Sequence, residues 1–230
     1  MFTPDRRATP EWLDDPSSDA ATAVISGEDN ARCNTMLGGR WALVAQLRPL
    51  WAQLPRRLTL LDLASGVGDQ AATLVTAGAR HGVAVETIAL DRRPELLRRA
   101  ATRGAQPVAA DSSALPFATG SVDVVICCQF LHHLDESGIV ALMRECTRIA
   151  RHVVVVADLR RSWFAAAGLW LASWPLGMHP VSRHDGLVSV LKGFTPAELA
   201  ALLTTAAARP VGVRTHPLFR LTAAWGPALS

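Results

Sequence analysis

The sequence predicts an α/β fold, a doubly wound parallel sheet with helices on both faces, and three observations carry that expectation. From Leu58 onward, apolar runs of strand length alternate with helical patterns. Two of the runs, VDVVICC from Val122 and HVVVVAD from His152, are near-continuous in valine and isoleucine, as strands buried on both faces require. The first run ends in a turn that carries Gly66 and Gly68, where a strand passes into a helix.

Taken in order, residues 1 to about 35 read as a mostly helical arm. Thr35 to Leu54 then places Met36, Trp41, Val44, Leu47, Leu50 and Trp51 at helical spacing. Residues 1–57 are therefore expected to form an N-terminal helical arm or cap, able to cover a ligand. The strand LTLLDL follows, then a helix from about Asp69, the strand VAVETIAL, the helix PELLRRAATRG and the strand QPVAA, a βαβαβ unit. After VDVVICC come a helix from about Ser137 to Ala150 and the strand HVVVVAD. Residues 58–230 form the core, with an apolar insertion at about 162–194.

With 230 residues, half of them hydrophobic, the chain fits one domain with a full core. Its net charge is only +3 and its basic residues, nearly all arginine, are scattered, which weighs against a nucleic-acid surface. Cys33, Cys127, Cys128 and Cys146 form no CxxC pair, so neither zinc nor a disulfide framework is expected and a reducing cytoplasm fits best. The start, MFTPDRRATPEWLDDP, has no apolar stretch of the kind a secretory signal needs. The longest apolar stretch, Trp163 to Met178, is interrupted by Pro175 and is shorter than the ~20 residues of a spanning helix. Peripheral membrane contact and the oligomeric state stay open.

Chemistry concentrates at the strand ends. Gly66-Val67-Gly68-Asp69-Gln70-Ala71 fits the GxGxxG/A pattern of dinucleotide binders, so the turn alone admits a nicotinamide cofactor. Asp62 ahead of the turn and Asp69 at the helix start argue otherwise. A carboxylate there is unhelpful to a pyrophosphate, which wants the positive helix end for itself, but suits a cofactor with an ammonium and a sulfonium. Asp91, with Arg92 beside it, closes the second strand where an acceptor can take both hydroxyls of a ribose. Asp111 and Ser112 follow the third strand, placed to read an adenine, although a turn cap is an equal use for such residues.

Together LLDLASGVGD, ALD, AADSSALPF and SVDVVICCQFLHHL resemble the small-molecule branch of class I S-adenosylmethionine-dependent methyltransferases, over about residues 58 to 158. Ala64 stands where that family usually has its first glycine. The resemblance implies a Rossmann-like class I methyltransferase fold with a seven-stranded, mostly parallel sheet and helices on both faces. It implies that Gly66 and Gly68 contact the methionine portion of S-adenosylmethionine and Asp91 its ribose, while Asp111 and Ser112 read the adenine. Gln129 would lie below the sulfonium, and Arg40 would pair with the cofactor carboxylate. The flanks EWLDDP, NTMLGG, SRHDGLVSVLKGFTPAEL and HPLFRLTAAW resemble methyltransferases found beside bacterial type III polyketide synthases, which implies secondary metabolism and a phenolic or quinonoid acceptor.

The insertion carries Trp163, Trp170 and Trp174, read as an apolar lid over an aromatic acceptor, with His179 at its end. Of the histidines, His184 beside Asp185 is the first candidate for the base and His133 the second. In-line methyl transfer requires no metal, and none is expected; oxygen and carbon acceptors stay open. Two other functions compete: an NAD(P)-dependent oxidoreductase, and a non-catalytic partner that only binds S-adenosylmethionine. The first lacks a Tyr-x-x-x-Lys pair, since the chain has no tyrosine.

Overall fold

The computed structural model describes residues 3–15 and 17–229. Met1, Phe2, Pro16 and Ser230, which the expected domain bounds and the EWLDDP string include, lie outside the described residues. Two helices come first, α1 (Ala20–Met36) and α2 (Gly39–Leu47). The alternating unit follows as β1 (Arg57–Leu63), α3 (Asp69–Ala79), β2 (Ala84–Asp91), α4 (Pro94–Thr102), β3 (Gln106–Ala109), β4 (Val122–Cys128), α5 (Glu136–Ile149) and β5 (Ala150–Leu159). The last part holds α6 (Trp163–Ser173), α7 (Pro180–Lys192), α8 (Pro196–Ala207), β6 (Val213–His216) and β7 (Arg220–Trp225).

The seven strands lie in the order β3-β2-β1-β4-β5-β7-β6. Strands β1 to β5 pair in parallel with one another, and β7 runs antiparallel to both its neighbours, β5 and the edge strand β6. This is the seven-stranded, mostly parallel sheet that the sequence resemblance implies. The winding reverses between β1 and β4, and in such sheets the crevice outside the carboxyl ends of those strands is the ligand side.

Strand alternation sorts the core into two layers. Leu61, Leu63, Val125, Cys127, Val154 and Val156 face α5 and α8, whereas Leu58, Leu60, Val124, Ile126, Val153 and Val155 face α2 and α3. Each fully buried leucine or valine contributes about 1.5–3 kcal/mol relative to an exposed one. Helix α5 meets its layer through Ile139, Leu142, Met143, Cys146 and Ile149, a stripe at helical spacing. The Asp135 carboxylate caps that helix by accepting from Gly138 N at 2.7 Å.

The arm departs from its expected form at the front. Residues 3–11 form no helix; their backbone runs along the end of α7, with Arg7 N donating to Leu191 O at 3.2 Å and Arg6 Nε to Lys192 O at 3.0 Å. TPDRRATP has no helical apolar repeat, and Pro10 removes a donor, so tertiary bonds replace local ones. Among the described residues no helix is long and apolar enough to cross a membrane.

Gly68 shows how tightly the first turn is built. Its φ is +75°, and a Cβ there would lie 2.9 Å from Ala100 Cβ and 3.0 Å from Ala100 Cα on α4. Gly68→Ala is expected to cost about 1–3 kcal/mol by overpacking, read as a lower urea midpoint at unchanged slope.

Candidate active site

A cavity of about 170 Å³ opens at the carboxyl ends of β1 and β4. Asp62, Ala64, Gly66 and Asp69 line it from the first turn, Arg93 from the start of α4, and Asn30 and Gln129 from α1 and the end of β4. Ala64 takes φ +53° and Gln129 φ +51°, so both strands turn sharply at the rim through non-glycine residues. A Cβ on Gly66 would meet nothing within 4 Å, so this part of the turn faces open space.

Three carboxylates sit behind that turn. Asp62 is fully buried and its Oδ2 has no hydrogen-bond partner; burial first, then the neighbouring Asp69, pushes its carboxyl well above the usual range. Burial also raises Asp69, partly offset by Asn34 Nδ2 at 3.2 Å and Arg40 Nε at 3.6 Å. Asp91 is raised by burial too, although its oxygens accept from Gly66 N and Arg93 N at 2.9 Å each. An orphaned carboxylate oxygen, an open glycine face and a buried Arg40 Nε without a hydrogen-bond partner are what an amino-acid-bearing cofactor needs.

Four other expected cofactor residues, Gly68, Arg92, Asp111 and Ser112, do not line this cavity. Gly68 is turned into α4 by the packing described above and does not face the cavity. Arg92 reaches away to Asp14 O at 3.3 Å, while Arg93, which sequence reasoning passed over, bonds Leu13 O at 3.0 Å and ties the arm to the site. Asp111 is exposed and caps its own turn by accepting from Ser113 N at 2.8 Å, with Ser112 inside that turn. The turn-cap use is the one seen there.

A second cavity, of about 210 Å³, shares Asn30 and Gln129 with the first. Its walls are mostly apolar, with Leu37, Leu159, Phe164, Leu169 and Val190 among them, and also carry Arg160 and Arg220. One end is polar, formed by Glu11, His132 and His133. His132 Nδ1 lies 2.7 Å from Asp158 Oδ1, His133 Nδ1 lies 3.0 Å from Asp14 Oδ1, and both Nε2 atoms are 3.7 Å from Glu11 Oε1. An ionised carboxylate only accepts, so each Nδ1 donates its proton there and each Nε2 is turned towards Glu11. The His132 side chain is 2% exposed and its Nε2 has no hydrogen-bond partner.

Charge sets these groups apart. Burial would raise Asp158, but the charge and hydrogen bond of His132 outweigh it and hold the carboxyl low. Asp14 follows the same pattern, with His133 and Lys192 overcoming burial. Glu11 goes the other way, raised by burial despite His133, Lys192 and a 2.8 Å bond from Ser189 Oγ.

The expected acceptor residues are placed differently. His184 does meet Asp185, at 2.8 Å, but the ring stacks on Trp12 at 3.8 Å while Asp185 accepts from Trp12 N and Leu13 N. That dyad anchors the arm outside the cavity. His179 caps α7, with its Nδ1 accepting from Val181 N at 3.3 Å. Trp163, Trp170 and Trp174 are 47%, 48% and 59% exposed, and the opposite side of α6, with Ala165, Gly168 and Leu169, faces the cavity. Trp170→Ala is accordingly expected to shift stability by no more than about 0.5 kcal/mol, as measured by denaturant midpoint. Sequence reasoning missed Glu11, Asp14 and Asp158 and ranked His132 below His184 and His133; the one local signal was an aspartate closing β5 beside a histidine pair closing β4.

Residues 60–152, less than half of the chain, match the family model of a methyltransferase domain. Among curated protein sequences none is similar enough to match. A candidate O-methyltransferase of Nostoc punctiforme superposes with a TM-score of 0.64 at 16% identity, covering 96% of this chain and 64% of that one. This chain thus spans somewhat less than two thirds of that neighbour's length. A S-adenosylmethionine-dependent methyltransferase from Aquifex aeolicus gives a TM-score of 0.54 at 14% identity, covering 79% of this chain and 87% of that one. Magnesium protoporphyrin IX methyltransferase from Synechocystis, with bound S-adenosylhomocysteine, gives 0.53 at 15% identity, covering 91% and 88%. The matched domain contains the Gly66–Gly68 turn, which leaves the nicotinamide reading of that turn without support.

Proposed function

We propose that this chain is a methyltransferase with S-adenosylmethionine as its cofactor and that it methylates a small, largely apolar acceptor, with a phenolic or quinonoid polyketide-type molecule of secondary metabolism as the preferred class. One observation carries the reading: a carboxylate-backed cavity and an apolar cavity meet through a shared wall, Asn30 and Gln129. When bound, the cofactor supplies a methyl group on a sulfonium leaving group. Asp62 holds its ammonium and Arg40 its carboxylate, Gly66 allows close backbone approach, and Asp91 keeps free lone pairs for ribose hydroxyls. Gln129 stands in the wall the cavities share, where methyl and acceptor must align.

On the acceptor side, Leu37, Leu159 and Leu169 exclude water, which strengthens every polar contact inside. Glu11, His132 and His133 take up the reacting hydroxyl and its proton. A polar end of that kind favours oxygen over carbon as the acceptor atom, because a phenol of pKa ~10 needs help to ionise near neutrality. A cytoplasmic location and a small-molecule partner, without nucleic acid, accompany this reading.

Calorimetry with S-adenosylhomocysteine, followed by turnover of methyl-labelled S-adenosylmethionine against a panel of alkylated phenols and hydroquinones, tests it. Methyl ethers identified by mass spectrometry are the expected product. Binding without any methylated product across the panel would favour the non-catalytic partner.

A further inference from the structure

We infer that Glu11, His132 and His133 form a binding site for one divalent transition-metal ion of the zinc class, at the polar end of the acceptor cavity. Their ligand atoms, one from each side chain, all lie within 4.8 Å of one another. Both imidazole Nε2 atoms approach Glu11 Oε1 to 3.7 Å. Metal–ligand bonds of about 2.0–2.1 Å at tetrahedral angles separate ligand atoms by roughly 3.4 Å, so a small contraction closes the site.

The surroundings match what such ligands require. Metal-bound histidines almost always give their other ring N–H to a carboxylate or carbonyl, which fixes the tautomer and orients the ring. Both histidines do so here, His132 to Asp158 at 2.7 Å and His133 to Asp14 at 3.0 Å. His132 Nε2 is buried without a hydrogen-bond partner, a lone pair with nothing to satisfy it. Ser189 Oγ at 2.8 Å orients Glu11, whose Oε1 also lies 3.4 Å from Lys192 Nζ. Three carboxylates, Glu11, Asp14 and Asp158, surround the imidazoles, with Lys192 in contact and Arg6 and Arg220 at longer range.

Two imidazoles and one carboxylate leave a coordination position open, the pattern of catalytic rather than structural zinc. That position faces the acceptor cavity and suits a phenol or hydroxyl oxygen. With the ion bound, the imidazoles would serve as its ligands in place of accepting the proton themselves. The O–H bond would ionise at the ion, its proton would pass to water at the cavity mouth, and the oxygen would keep the electron pair that forms the bond to the methyl carbon as the carbon–sulfur bond breaks. Either way the loss of His133 removes what ionises the hydroxyl. This use of the ion rests on the methyltransferase reading, while the binding site does not.

Cobalt(II) titration of the metal-stripped protein, followed by visible absorption and calorimetry, tests the site. One equivalent should bind with a d–d band of low-coordinate cobalt. His133→Ala and Glu11→Gln should each weaken binding at least 10-fold, Asp14→Asn by about 10–100-fold, and His81→Ala not at all. Glu11→Gln preserves shape, so it decides the matter if thermal melts show His133→Ala unfolded. A wild-type protein without the band, or a Glu11→Gln affinity within threefold of wild type, overturns the proposal. S-adenosylhomocysteine binding is measured on the same samples: cobalt binding without it would strike the methyltransferase reading and leave the site, and the converse would strike the site alone.

Discussion

His133→Ala is expected to slow methyl transfer in a single turnover by roughly 10²–10⁴-fold, the usual loss when a group handling the acceptor proton is removed. The ring lines the acceptor cavity, and Asp14 at 3.0 Å holds its Nδ1 proton, so that Nε2 faces the acceptor end. Its side chain is 23% exposed rather than core-packed, and it does not line the cofactor cavity. Affinity for S-adenosylhomocysteine should therefore stay the same, which separates a chemical role from a structural one. His184→Ala offers the contrast. Its ring stacks on Trp12 outside the cavity, so the chemical step should remain within about threefold of wild type, far below the loss of a proton acceptor. Equal losses in the two variants would mean that both act through the arm, and would remove His133 from the chemistry.

Asp62→Asn should weaken S-adenosylhomocysteine binding by about 1.5–3 kcal/mol, the worth of a hydrogen bond to a charged group, or roughly 10- to 150-fold. The accompanying pH dependence has a definite sign. Burial and Asp69 raise the Asp62 carboxyl in the free protein, so it holds its proton where an ordinary aspartate has lost it. A ligand ammonium favours the carboxylate, so binding releases a proton and affinity rises with pH up to the raised pKa. Calorimetry in buffers of different ionisation enthalpy reads that proton directly. Asp69 and Asp91 are shifted in the same direction, so the variant should flatten the pH slope without abolishing it. The free protein should gain stability in exchange. The unfolded chain releases the Asp62 proton at the ordinary pKa and the native state only at the raised one, so stability falls as pH rises above the ordinary value. Asn removes that loss, and a thermal melt at pH 8 should show a higher Tm for the variant. A variant that binds within twofold of wild type would take Asp62 out of the site.

Most of the scaffold was legible in the sequence. The valine-rich runs fixed which segments are central strands, because only a strand covered on both faces needs apolar residues at every position. The Gly66 turn and the aspartates closing β1 and β2 were legible because a strand end at the sheet reversal is a local feature whose place in the fold follows from winding alone. Helix α6 resisted such reading. It is apolar nearly all round, so periodicity marks no polar side, and only packing against α7 decided that Leu169 looks inward and the tryptophans outward. His184 and Asp185 do touch, as neighbours can, yet where the pair sits depended on the arm folding back over α7. The Glu11–His132–His133 cluster was decided by tertiary structure alone. No spacing rule links an arm residue to a histidine pair far along the chain, and the two meet because Arg6, Arg93 and Asp185 draw the arm across the carboxyl end of the sheet.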